Sequence, residues 1–156
     1  MGLHVLELAR SIETLSISGV QVRGLSNIPR TVEERECPIL YPKPDGFLSG
    51  LTVVRESYGG DTATGARKTA YYTLTYRFLF EPLGTGRENV FDQYQLFVTR
   101  ALAIIEAFIA NSSLGGVTDI TPPDVVAMGP VSDQAGTMFH GCDFPLKVMD
   151  FWNEEL

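Results

Sequence analysis

Apolar and polar residues alternate strictly along residues 69–81, TAYYTLTYRFLFE. The apolar positions of one face are Tyr72, Leu74, Tyr76, Phe78 and Phe80. Because successive side chains of a β-strand point to opposite faces, this alternation predicts a long strand with one face in a core. The other face is amphipathic, since Tyr71 and Leu79 stand among threonines and Arg77.

The period of the pattern changes after residues 82–86, PLGTG. Over residues 88–110 apolar side chains recur every three or four positions, which predicts an amphipathic helix of about six turns. The predicted core stripe is Val90, Phe91, Tyr94, Phe97, Val98, Ala101, Leu102, Ile105, Phe108 and Ile109. A second apolar stripe consists of Leu96, Ala103, Ile104 and Ala107. A strand followed by a long helix predicts the core of a two-layer domain.

The remaining patterns are shorter. Helical spacing over residues 3–17 predicts an N-terminal helix, and alternation predicts strands at 51–58 and 137–152. Prolines around residues 39–41 allow only a short edge strand or an extended segment there. Pro145 favours an edge position or a bulge for the last strand. Residues 117–130 are predicted to be extended or loop-like. The fold class is α+β: one two-layer domain, residues 1–156, with a mixed or antiparallel sheet packed against one long and one N-terminal helix.

A polar, glycine-rich segment, GGDTATGARK, separates two predicted strands at residues 59–68. Ten residues are more than a hairpin turn needs, and surplus loop length often serves a contact. We therefore expect this hairpin tip to touch a partner. The residues assigned to that contact are Gly59, Gly60, Asp61, Thr62, Thr64, Arg67 and Lys68.

Composition limits the classes of function. The 156 residues are 44% hydrophobic, enough for one substantial core, and the net charge of −7 disfavours a protein that binds nucleic acid electrostatically. The sequence has no apolar run long enough to span a membrane, and charges within the first helical pattern disfavour a signal peptide. Cys37 and Cys142 lack the spacing of a metal site. A disulfide between them is an open alternative, but we favour reduced cysteines.

Residues for catalysis or metal binding are sparse. His4, at the start of a helix, is expected to be solvated. His140 stands near Cys142 and Asp143, but alternation places Asp143 on the opposite strand face, so we favour a packed or hydrogen-bonded strand residue over a metal ligand or a catalytic pair. Gly84–Arg87 before the long helix lacks the complete phosphate-loop pattern and is read as a turn. We therefore predict no enzyme, no cofactor and no metal.

Apolar side chains exceed what the predicted core faces require. These surplus residues are Tyr71, Leu79, Leu96, Ile104, Phe139, Met149, Phe151 and Trp152, together with Ala103 and Ala107. Another part of the same chain could cover them. Otherwise a contiguous apolar surface of this kind implies subunit contacts.

The order of elements resembles the tail terminator or tail completion proteins of long-tailed bacteriophages. The segments that carry the resemblance are CPILYPKPDGFLS, YYTLTYRFLFEPLGTGR with the long helix after it, and FHGCDFPLKVMDFW. The resemblance implies a small α+β subunit of a homo-hexameric ring that caps the tail tube, stops its polymerisation and offers a docking surface to the head–tail connector. It also implies a virion protein at the head-proximal end of the tail, assembled in the host cytoplasm.

On this resemblance, two different patches of each subunit form the ring. One patch would contain Tyr71, Arg77, Leu79, Leu96 and Ile104, and the other Phe139, Met149, Phe151 and Trp152. The hairpin at 59–68 would reach the major tail tube protein or the connector, and the net negative charge would let DNA pass the lumen without specific binding.

Two alternatives remain open. Within the phage setting, the chain could be a connector, a stopper or a minor tail subunit. In a different class, it could be a small-molecule-binding or enzymatic α+β domain with a pocket lined by Tyr72, Tyr76, Tyr94 and Phe97.

Overall fold

Two long antiparallel strands form the centre of the fold. The structure, a computed structural model, describes residues 3–56, 67–83, 90–113, 118–121 and 128–153. The strands are β1 Gln21–Val22, β2 Ile39–Pro42, β3 Leu48–Glu56, β4 Arg67–Pro82, β5 Thr118–Thr121, β6 Met128–Ser132 and β7 Met138–Asn153; the helices are α1 Val5–Glu13 and α2 Val90–Ala110. β4 and β7, of 16 residues each, pair from Arg67 opposite Asn153 to Pro82 opposite Phe139.

Each central strand carries two shorter strands, one after the other, along its other edge. β2 and β3 pair antiparallel with different halves of β4, and β6 and β5 do the same along β7. β1 adds parallel to β2. Over the described residues the sheet is mixed and seven-stranded. With the two helices, this confirms the predicted single α+β domain.

The prolines do not have the predicted effect on the sheet. β7 is a central strand, and Pro145 falls between the segment paired with β6, which ends at Cys142, and the segment paired with β5, which begins at Lys147. Proline, which has no backbone N–H to donate, is tolerated in this part of β7 because it pairs with neither β5 nor β6. Residues 39–42 also form an inner strand and are buried at all four positions. β1 pairs with Ile39 and Leu40 along the outer edge, and β4 pairs with all four residues along the other. Both expectations of an edge position are therefore wrong.

The main core lies between the sheet and the two helices. The predicted inner face of β4 is confirmed, since Tyr72, Leu74, Tyr76, Phe78 and Phe80 are all buried. They pack with alternate residues of β7 and with the buried side of both helices. The β7 and helix residues of this core are Cys142, Phe144, Leu146, Val148, Leu8, Ile12, Phe97, Ala101, Ile104 and Phe108.

A smaller core lies on the opposite face of the sheet, at one end. Leu79 and Phe139 are 0% exposed there and pack with Ile39, Tyr41 and Val32. The chain from Ile28 to Cys37 covers this cluster and is held by the buried carboxylate of Asp133, which accepts from Val32 N at 3.1 Å. The same carboxylate also accepts from Ala135 N and Thr137 N of its own turn, both at 3.0 Å. Part of the surplus apolar surface is thus covered by the same chain.

Other element boundaries shift modestly from prediction. α1 is shorter than residues 3–17 because it ends at the Thr14 cap, and the strand predicted at 51–58 is β3. Within the predicted extended segment 117–130, residues 118–121 and 128–130 belong to strands that pair with β7. The hairpin tip at 59–66 and the turn at 84–87 lie outside the described residues.

Candidate assembly surfaces

Four apolar side chains form an exposed patch on the sheet face opposite the helices. The strand register places Tyr71 beside Met149, and Thr69 between Val54 and Phe151. Tyr71 is 46% exposed and Val54 42%, while Met149 and Phe151 are partly buried. We call Val54, Tyr71, Met149 and Phe151 the sheet patch. Three of these residues were predicted as interface residues, with Tyr71 in one patch and Met149 and Phe151 in the other. The register places all three on one face, so the predicted division into two patches is wrong for them.

A hollow of about 350 Å³ lies along the sheet patch. Its lining combines the apolar side chains of Tyr71 and Met149 with the polar residues Thr73, Asp119 and Lys147. Asp119 is opposite Met149 in the register, and Lys147 is opposite Thr73, so these groups share one sheet face. The hollow can therefore receive an apolar side chain while its rim offers one acidic and one basic group.

A second exposed apolar surface runs along α2. Among the α2 side chains that the structure describes, the buried ones are Phe97, Ala101, Ile104 and Phe108, and the residue after each of them is also apolar: Val98, Leu102, Ile105 and Ile109. At 3.6 residues per turn this second row is turned by about 100° from the core row. Leu102 is 51% and Ile109 59% exposed, and Tyr94 continues the row toward the helix start. Ile105 is partly buried and also packs against the main core. We call Tyr94, Val98, Leu102, Ile105 and Ile109 the helix stripe.

The predicted phase of α2 is therefore partly wrong. Ile104 was assigned to an outer stripe, but it is 0% exposed and packs in the main core. Leu102 and Ile109 were assigned to the core and are exposed. The broad apolar pattern of the helix allowed both assignments, because apolar residues cover the flanks of the core row as well as its centre.

The other predicted partners of Tyr71 do not join it. Leu79 and Phe139 are buried in the smaller core and have no surface to offer a partner. Leu96 is exposed on the opposite flank of α2, where it lines a hollow with Cys37 and Pro38. Trp152 packs partly buried against the main core, on the helix side of the sheet.

Arg77 is committed to contacts within the chain. Its Nε and Nη2 donate to the two oxygens of Asp143 at 2.9 and 3.1 Å, and its Nη1 donates to Ser132 O at 3.1 Å. The hydrogen bonds to Asp143 raise the pKa of the guanidinium above its ordinary value. The side chain is 18% exposed, so the expectation of an interface arginine is replaced by an internal bidentate ion pair.

His4 forms a buried polar cluster that the sequence did not predict. Its backbone N and its Nδ1 each lie 2.6 Å from the carboxylate of Asp150, and Tyr72 Oη donates to the same carboxylate at 2.8 Å. Burial, followed by this hydrogen bond, raises the pKa of Tyr72. The expectation of a solvated His4 is wrong, because the contacts anchor the start of α1 to β4 and β7. No sequence signal connects residues 146 positions apart.

The remaining candidate groups lie apart from one another. Both cysteines are free, and burial raises the pKa of each thiol to about 12. His140 is exposed, whereas Cys142 is buried and Asp143 binds Arg77. Across the described part of the chain, no cluster of three or more histidine, cysteine or acidic residues could hold a metal ion. Nor is any described helix long and apolar enough to cross a membrane.

The predicted partner loop and the predicted pocket have different outcomes. Arg67 and Lys68 lie in β4, opposite Glu56 and Arg55 of β3, whereas Gly59, Gly60, Asp61, Thr62 and Thr64 lie outside the described residues. Of the pocket residues, Tyr72, Tyr76 and Phe97 are buried in the main core and Tyr94 is exposed. Phe97 packs on Phe78 and Phe80, with ring centroids 5.7 and 5.2 Å apart. Tyr72, Tyr76 and Phe97 are therefore core residues.

Comparison with known proteins adds no assignment: neither a scan against protein-family models nor a search of curated proteins finds a match to this chain.

Proposed function

We propose that this chain is a structural subunit that assembles head to tail into a ring, and that the ring is a bacteriophage tail terminator. The observation that carries the proposal is the presence of two different exposed apolar surfaces, the sheet patch and the helix stripe, on opposite sides of one sheet. A ring with a heterologous interface needs two different patches on each subunit. Such side chains, left in water, supply the free energy of assembly when they are buried.

The tail-specific part of the proposal rests on the sequence resemblance. In a terminator the ring, six-fold by that resemblance, would cap the tail tube, stop its polymerisation and present a surface to the connector. The net charge of −7 is compatible with a lumen through which DNA passes without binding. The segment at residues 59–68, which follows β3 in the sequence and runs into the first residues of β4, remains the one we assign to contact with the tube or the connector.

Assembly can be measured directly on the purified chain. Native mass spectrometry and negative-stain images are expected to show a discrete ring, alone or with the tail tube protein of the same virus. Leu102→Asp in the helix stripe and Tyr71→Asp in the sheet patch should each abolish the ring and keep the far-ultraviolet circular dichroism of the wild type, because both side chains are about half exposed. A wild-type chain that stays monomeric under both conditions would refute the proposal.

The role at the tail needs its own readout. Tail tube protein that polymerises to indefinite length alone should give tubes of limited length with one ring at an end when this chain is added. Rings that form but never bind a tube would support the connector or stopper alternative. The control is Asp45→Lys, at an exposed position in the turn between β2 and β3 that belongs to neither surface, and it should assemble and cap tubes as the wild type does.

A further inference from the structure

We infer that the helix stripe of one copy docks on the sheet patch of the next, so that α2 of each subunit covers the exposed sheet face of its neighbour. This inference rests on the proposed head-to-tail assembly and names its two contacting surfaces. It adds a helix layer to the face of the sheet opposite α1 and α2, where the described part of the chain places no α-helix. The same α-on-β packing already joins α2 to the sheet within the subunit.

The sheet face itself shows where a layer is missing. At one end, the chain from Ile28 to Cys37 covers Leu79 and Phe139. At the other end, among the described residues, Tyr71 and Val54 remain about half exposed on the same face. Between these two apolar ends the same face is polar, because Thr73 is opposite Lys147 and Arg77 is opposite Asp143. A helix from a second copy would cover the apolar end that residues 28–37 leave exposed.

The helix stripe is long enough to cross the sheet patch. From Tyr94 to Ile109 the stripe covers fifteen residue steps, or about 22 Å at about 1.5 Å per residue. The sheet patch and its hollow span β3, β4, β7 and β5, and three strand spacings of about 4.8 Å give about 14 Å. An α-helix laid across these strands can place the middle of the helix stripe, around Leu102, over the hollow.

Opposite charges favour a second copy as the occupant. Lys147 lines the hollow, and Glu106 is exposed on α2 between Ile105 and Ile109; neither forms an ion pair with another described residue. Docking that brings Glu106 of one copy to Lys147 of the next would pair these opposite charges across the contact.

Cross-linking between two single-site variants tests this contact. Glu106→Cys and Lys147→Cys are made separately in a Cys37→Ser background, in which the remaining native thiol, Cys142, is 1% exposed. One variant carries an affinity tag so that mixed and self-linked products differ in mass. With a short bismaleimide linker we expect a cross-linked product that contains one copy of each variant. The control pair, Glu106→Cys with Asp45→Cys, should give none.

The other outcomes of the cross-linking distinguish this contact from different modes of assembly. Cross-linking of Glu106→Cys to itself would overturn the inference in favour of a symmetric helix–helix contact. If wild-type rings form but the mixed pair gives no product, the inference is also overturned, whereas the ring proposal stays intact. The subunits would then meet elsewhere, for example by pairing along the β3 edge. A wild-type chain that never associates would instead remove the proposed function.

Charge reversal gives a second, independent readout. Glu106→Lys and Lys147→Glu should each weaken self-association about fivefold to tenfold in sedimentation velocity, and the double variant should recover most of the loss. Asp45→Lys, with the same change in net charge as Glu106→Lys, should leave association unchanged. If the losses of affinity in the two single variants add in the double variant, Glu106 and Lys147 do not contact each other.

Discussion

The phase of α2 can be tested by truncating two neighbouring side chains on the same helix. Ile104 is fully buried and packs in the main core, whereas Leu102, two residues earlier, is half exposed. Ile104→Ala removes buried methyl and methylene groups and leaves a cavity, for which we expect a loss of about 2–5 kcal/mol in the free energy of unfolding. Leu102→Ala should change that free energy by less than about 1 kcal/mol.

Urea unfolding measures this difference. The chain has one tryptophan, Trp152, which packs partly buried against the main core and reports its opening by fluorescence. With a slope of about 1–3 kcal/mol per M, a loss of about 3 kcal/mol lowers the midpoint by about 1–3 M. The scan is run at several protein concentrations, and the most dilute, concentration-independent range is used, because association stabilises the folded chain.

The contrast between the two variants decides the outcome. Similar midpoints for Ile104→Ala and the wild type, or a larger loss for Leu102→Ala, would mean that α2 packs through another face. The helix stripe would then be core, and the proposed assembly surface would disappear with it.

Three further predictions follow from single contacts. Gly141→Ala should destabilise the fold by several kcal/mol, because a Cβ there would clash with the carbonyl oxygen of Phe78 on the neighbouring strand; thermal unfolding measures the loss. Arg77→Ala should cost about 1–3 kcal/mol in urea unfolding, and the double variant with Asp143→Ala should recover part of it because no charge is left unpaired. Burial raises the pKa of the Cys142 thiol from 9.0 to about 12. The contribution of the buried thiol to stability is therefore complete below pH 9 and is lost as the pH rises toward about 12. In Cys142→Ala, stability measured against pH should fall less steeply over this range.

Much of the local structure could be predicted from the sequence. The alternation along residues 69–81 indicates which side chains of β4 share a face, and the spacing along residues 88–110 indicates a long helix. Both patterns are local, since they follow from the repeat of the backbone itself. Tyr71, Met149 and Phe151 were each predicted as surplus apolar residues but were assigned to two different patches. The pairing of β4 with β7 places them on one face.

By itself, then, the sequence determined two long strands, the long helix and an excess of apolar side chains over one core. Only the tertiary structure decided where that excess lies. Two adjacent apolar rows on α2 have the same period, and packing against the sheet selects the row of Ile104 over that of Leu102. Likewise, residues 28–37 bury Leu79 and Phe139, and Asp150 binds His4 across 146 positions. Periodicity gives the faces of an element, whereas the choice of the face that is covered depends on contacts between residues far apart in the chain.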